Sequence, residues 1–275
     1  MSTEASSVAR EPHDIVVADA WNKLRKHTSA RIALGRSGTS LPTKPHLEFQ
    51  LAHARARDAV HHALDAEAFE ESLRSRGLET FLLHSAADGR AMYLQRPDKG
   101  RRLDAKSRAS LEAFPRPAKP YDVAFVIGDG LSALAIEENA ASFLDAVLPT
   151  LKDDWHIAPF CIVKEARVAV GDEVGEVLGA KLVVVMIGER PGLSSPDSMG
   201  IYMTLSPRVG LTDESRNCIS NIRPQGLSYE QAAYKLHYLM REARKRGISG
   251  VNLKDEAETL PKVGLESAEN FLIES

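Results

Sequence analysis

Val123-Ala-Phe-Val-Ile127, then Gly128-Asp-Gly130, then a long helical pattern from Ser132 to Leu151: this stretch decides the fold of the 275-residue chain. It reads as a short β-rich run, a glycine turn and a helix. The alternation recurs downstream. Phe160 to Val163 is a second strand-like run, a short helix is predicted around Asp172 to Leu178, and Lys181 to Ile187 is a third run. Leu182-Val-Val-Val-Met-Ile187 is continuously apolar, as strands buried on both faces are. Ile201 to Leu205 and an amphipathic helix from Ser228 to Arg246, ending at Gly247, complete the unit. Alternating strands and helices predict a Rossmann-like α/β fold with a doubly wound, mostly parallel sheet.

In front of this unit the texture is helical. A helix is predicted from Asp14 to His27, with Asp14 as N-cap and Ile15, Val16, Ala20 and Leu24 at helical spacing. Arg36 to Pro42 is a loop punctuated by glycine and proline. Helices follow from Pro45 to about His62 and from about Asp65 to Arg76, the second closed by Gly77. Pro115, Pro117 and Pro120 mark a linker. The expected organisation is an N-terminal helical domain with a disordered tail over residues 1–120, and a Rossmann-like domain over 121–275.

Composition narrows the function classes. With 43% hydrophobic and 27% charged residues, the chain can bury a core. Its longest apolar run, Leu182 to Ile187, is far below the roughly 18–20 residues that cross a bilayer. Met1 to Arg10 lacks the apolar segment of a secretory signal, so a cytoplasmic protein without a membrane role is expected. Two cysteines, Cys161 and Cys218, exclude a disulfide framework and a cysteine-rich zinc site. Residues 1–120 hold 20 Lys/Arg against 15 Asp/Glu, a balance of +5, while residues 121–275 hold 15 against 23, a balance of −8. The basic charges are interleaved with acids, so nucleic acid is not the expected partner; a basic face docking on an acidic protein fits.

Gly128-Asp129-Gly130-Leu131-Ser132-Ala133 fits the G-x-G-x-x-A fingerprint between strand and helix. A nicotinamide site also wants an acid roughly 20 residues on. That distance falls near Thr150, and Asp129 sets a negative charge where a pyrophosphate should lie. A tight turn, a different ligand contact and a dinucleotide site all stay open. Asp154-Trp-His156 begins like a cobalt-ligating D-x-H-x-x-G motif, but Pro159 replaces the glycine and His156 precedes a strand. His53, His61 and His62 lack a metal-binding spacing. Cys161 lies in a strand and reads as a small buried hydrophobe, while Cys218 lies in a loop-like stretch where its thiol could face a ligand. The third strand runs into Gly188-Glu189-Arg190-Pro-Gly-Leu-Ser-Ser-Pro-Asp197-Ser-Met-Gly200, a long polar loop. Loops beyond the carboxyl ends of strands form the crevice of such sheets, so Glu189 and Arg190 are candidates there, unless they pair with each other. No P-loop and no G-x-S-x-G elbow occurs.

Glu189 to Ser198, Pro207-Arg-Val-Gly-Leu-Thr-Asp213, Arg216-Asn-Cys-Ile-Ser-Asn-Ile-Arg-Pro224 and Arg31-Ile-Ala-Leu-Gly-Arg-Ser-Gly-Thr39 closely resemble the light chain of ethanolamine ammonia-lyase. The resemblance implies a small subunit that pairs with a large barrel subunit, with adenosylcobalamin between them and radical conversion of ethanolamine to acetaldehyde and ammonia on the large chain. It implies cofactor-binding roles for Val168, Glu189 and Cys218, with no catalytic residue and no metal ligand on this chain. The dimethylbenzimidazole stays on cobalt in that family, in line with the broken Asp154-x-His156 motif. The polar N-terminal tail suits packaging in a bacterial microcompartment. A nicotinamide oxidoreductase and a non-catalytic assembly subunit are the competing readings.

Overall fold

Two strands without a single exposed side chain lie at the centre of the computed structural model, which describes residues 15–152 and 154–257. They are β2 (Val123–Gly128) and β4 (Leu182–Gly188). Four more complete the sheet: β1 (Thr80–His84), β3 (Phe160–Lys164), β5 (Met199–Leu205) and β6 (Arg216–Ile222). The order is β1-β3-β2-β4-β5-β6. Pairs β1–β3, β3–β2 and β2–β4 are parallel, while β4–β5 and β5–β6 are antiparallel. The α/β fold with a mixed, mostly parallel sheet therefore matches the expectation, with an antiparallel edge that the pattern of runs had not disclosed.

Seven α-helices are described: α1 (Thr43–His61), α2 (Ala66–Arg74), α3 (Arg90–Gln95), α4 (Ala105–Glu112), α5 (Ala133–Leu151), α6 (Val170–Leu178) and α7 (Tyr229–Arg246). Alternate side chains of the central strands enter two apolar layers. Phe125, Ile127, Val184 and Met186 pack with Phe143 of α5 and Leu236 of α7. Val126, Val163, Val183 and Val185 pack with Val170 and Val174 of α6 and Leu111 of α4. Burying a valine or leucine fully contributes about 1.5–3 kcal/mol, so these layers fix which strand ends lie side by side. The helix ends are capped as their sequences dictate. Ser132 caps α5, Ser228 caps α7, and Gly247 takes the left-handed conformation after α7.

The front of the chain departs from its reading. No α-helix covers residues 15–27; a 3-10 helix, Ala20–Lys26, starts at an Asp19 cap whose carboxylate accepts the Trp21 N–H at 2.8 Å. Val17 is bridged to Arg36 through both backbone groups, so residues 15–19 lie outside any helix. The expected cap Asp14 and the tail lie outside the described residues. Contacts divide the chain into residues 1–57 and 58–275. The second unit contains the whole sheet, including β1, which residues 1–120 supply alongside their helices. No described helix is long and apolar enough to cross a membrane.

Candidate functional site

The carboxyl ends of β2, β3 and β4 meet at three glycines and one aspartate. A Cβ on Gly130 would stand 2.2 Å from the Gly188 carbonyl oxygen, and one on Gly188 would stand 1.9 Å from that of Ser132. The Leu131 N–H donates to the Gly188 carbonyl at 3.0 Å. Asp129 accepts from the backbone N–H groups of Gly130, Glu165 and Ala166, each at 2.9 Å. Burial pushes its carboxyl up to about 6, Glu165 adds to the rise, and the backbone donors and Arg90 oppose it. Arg90 donates to the carbonyls of Val60 and Gly130, at 2.6 and 2.8 Å, and to the Glu165 carboxylate at 3.2 Å. The Gly128-Asp129-Gly130 turn is thus a close backbone junction tied by a carboxylate, with its charge spent on the ends of β2 and β3.

The loop after β4 folds back over the start of α5. Ser132 donates its hydroxyl to the Pro196 carbonyl at 2.7 Å, and the Asn139 amide donates to that of Asp197 at 2.9 Å. Arg223 pairs with the Asp197 carboxylate at 2.9 Å. The loop is therefore a hairpin connection, and it covers the helix end that a dinucleotide phosphate would need. Glu189 sits at its base. Its N–H donates to the Ser198 carbonyl at 2.9 Å and its carboxylate accepts the Ser198 hydroxyl at 2.6 Å. Gly200 leaves the room that this side chain occupies, since a Cβ there would come within 2.7 Å of Oε1. Ser198, not Arg190, holds Glu189, and the Arg190 side chain is exposed.

Cys218 is a correction. It lies inside β6, opposite Tyr202 of β5, and not in a loop after a strand. The polar run Arg216-Asn-Cys-Ile-Ser-Asn-Ile222 hid the strand because its inward positions include an arginine. Arg216 is buried and donates two bonds to Asp172 of α6, at 2.6 and 2.8 Å, and one to the Thr204 hydroxyl at 3.2 Å. Glu173, also buried, accepts from Arg102, Arg108 and the Leu103 N–H. Paired so, two carboxylates that would be costly alone in the interior hold the start of α6, and with it Val168.

Tyr202 joins the three residues the sequence singled out. Like Val168, its half-buried ring packs against the α6-side layer. Burial raises its phenol well above the usual range, and Cys218 and then Glu189 add to the shift. Tyr202 faces Cys218 across the β5–β6 ladder, and the Glu189 carboxylate lies near enough to act on its phenol. Val168 packs against the same apolar layer as Tyr202. Tyr202 was missed; its signal is the alternation of β5, where it is a half-exposed position between buried Ile201 and Met203.

Residues 18–254 match the family profile of the ethanolamine ammonia-lyase light chain (EutC). The chain belongs to that family. It is 56% identical over 256 residues to the ethanolamine ammonia-lyase small subunit of Azotobacter vinelandii, covering 92% of this chain and 95% of that protein. It is 56% identical over 250 residues to that of Pseudomonas aeruginosa, covering 89% and 90%, and 54% identical over 262 residues to that of Xanthomonas campestris, covering 93% and 96%.

Three of the four segments that carry the light-chain resemblance converge on this site. The 189–198 loop carries Glu189, the 207–213 segment supplies Leu211, whose carbonyl accepts from Arg216 at 3.2 Å, and 216–224 carries Cys218. His156 lies elsewhere, before β3 at the opposite end of that strand, with its ring 4.8 Å from that of Tyr121. Among the described residues no group of three or more His, Cys, Asp or Glu could hold a metal ion.

Proposed function

We propose that this chain is the cofactor-holding small subunit of an adenosylcobalamin-dependent ethanolamine ammonia-lyase, acting with a large subunit as a carbon–nitrogen lyase in ethanolamine catabolism. The observation that carries the site is the grouping of Glu189 and Cys218 about Tyr202, with Val168 packed against the same apolar layer. The donor set fits a corrin edge, which is rich in carboxamides. A carboxylate accepts N–H groups, a phenol held protonated donates to amide oxygens, and valine and a thiol pack on the ring. When bound, adenosylcobalamin supplies a cobalt–carbon bond whose homolysis starts the conversion of ethanolamine to acetaldehyde and ammonia.

This chain's own residues bind and orient. Ser198 fixes the Glu189 carboxylate so that its other oxygen can accept an amide N–H. Val168 and Cys218 would lie against the ring edge. The protein works in the cytoplasm, packaged where its host builds a microcompartment. The nicotinamide reading is disfavoured because Asp129 and the 189–198 loop use the groups a dinucleotide would need.

Glu189→Ala is the test. A hydrogen bond to a charged acceptor is worth roughly 1.5–3 kcal/mol, so adenosylcobalamin should bind the assembled variant about ten- to a hundredfold more weakly. Titration by corrin absorbance reads the effect, and an unchanged dissociation constant removes Glu189 from the site. Bound cofactor should also slow alkylation of the exposed Cys218 thiol. The chain alone, given ethanolamine and cofactor, should form no acetaldehyde; turnover free of large subunit would refute the division of labour.

A further inference from the structure

Residues 15–57 fold with almost nothing buried. Pro42 is the only buried residue among them. Trp21 is 69% exposed, Leu47 and Leu51 stand one helical turn apart on α1 at 56% and 53%, and Ile15, Val17 and Leu41 are exposed as well. Ile15, Val16, Leu34, Leu41 and Pro45 line a groove of about 770 Å³ with Arg25 at its edge. A groove with apolar walls and polar residues at its rim, flanked by exposed large apolar side chains, marks an interaction site. The same segment carries eight Lys/Arg against two acids, a balance of +6. Lys23, Arg25, Lys26, Arg31, Arg36 and Lys44 form no ion pair among the described residues. The rest of the chain balances to −9.

We infer that residues 15–57 are the surface with which this chain grips its large subunit, seating Trp21, Leu47 and Leu51 in an apolar groove rimmed by carboxylates. The inference rests on the small-subunit reading above. An apolar centre with a charged rim is the anatomy of a specific protein interface. The positive rim selects an acidic partner and repels a second copy of the same segment. Nucleic acid would satisfy the cations but leave the tryptophan and leucines in water. The contact is new surface, separate in sequence from Val168, Glu189 and Cys218.

The test uses the full chain with the large subunit. Backbone amides of residues 15–57 should exchange with deuterium at least about tenfold more slowly in the complex than in the free chain. The double variant Trp21→Glu/Leu47→Glu should bind the large subunit more than about a hundredfold more weakly, and Trp21→Phe should bind as wild type. Both changed residues are exposed, so the far-ultraviolet circular dichroism of the double variant should match wild type. The affinity of wild type should also fall with salt, as interfaces with charged rims do. If wild type and double variant co-purify with the large subunit equally, or exchange in 15–57 does not slow, this surface is not the interface while the subunit reading stands. If wild type fails to co-purify at all, both fall. Protection of 15–57 that rises with concentration of the chain alone assigns the surface to a second copy. Binding of the segment to DNA or anionic vesicles in preference to the large subunit overturns the inference as well.

Discussion

Asp129 lies where two strand ends meet, and its acidity follows from what surrounds it. Three backbone N–H groups favour its charged form, yet burial outweighs them and lifts the carboxyl from 3.8 to about 6. The native chain therefore holds a proton that the unfolded chain gives up between those pH values. The associated stability is present in full below about 3.8 and is lost as pH rises through about 6, a difference of about 3 kcal/mol at the two-unit shift. Asp129→Asn removes the titration and turns an amide N–H toward the donors of Glu165 or Ala166, leaving one unpaired at a cost of about 1–3 kcal/mol. The stability advantage of wild type over this variant should grow as pH is lowered from 7 to 4.5, measured by urea unfolding. A gap that stays constant or narrows would show that the carboxylate is charged throughout. From sequence alone, Asp129 was visible as an ill-placed charge in a phosphate turn; its three partners, two of them 36 and 37 residues away, were not.

The elements differ in how plainly they announce themselves. β2, β4 and α5 are continuous in their apolar patterning, and each is found within a residue or so of its reading. β1 has only five residues, Thr80–His84, and its one buried side chain, Leu83, leaves too little periodicity to separate it from a loop. β6 is hidden because its buried Arg216 is explained by Asp172, 44 residues earlier on α6. The same separation explains the site. Glu189 follows an apolar strand and is legible, whereas Cys218 and Tyr202 come together only through the β5–β6 register. Arg216 thereby becomes the residue that joins β6 to α6. Arg216→Met leaves the Asp172 carboxylate buried and uncompensated, which costs about 3–5 kcal/mol. Arg216→Met/Asp172→Leu removes both charges and should recover most of that loss. Urea midpoints at neutral pH check both, and a single variant as stable as wild type would mean that solvent or another cation reaches Asp172.

At the scale of the whole molecule, the sheet and its two helical layers are self-sufficient, and the front segment is of another kind. Both apolar layers draw their residues from Leu64 onward. The stretch before α1 contributes a 3-10 helix, a two-residue bridge and a set of exposed apolar side chains, with a single buried proline to anchor it. Such a segment adds little to the folding free energy and much to what a partner can bind. Deleting residues 1–42 leaves α1 whole, together with buried Ala59 and the Val60 carbonyl that accepts from Arg90. The remaining chain should keep its circular dichroism spectrum. Its melting temperature should stay within about 2–4 °C of wild type, the shift that about 1 kcal/mol produces in a domain of this size. Its affinity for the large subunit should fall, because Trp21 and the basic rim leave together. A truncated chain that unfolds would place residues 15–42 among the determinants of the fold. One that folds and still assembles at wild-type affinity would assign docking to the remaining unit, and α1 with Leu47 and Leu51 would then be the first surface to change.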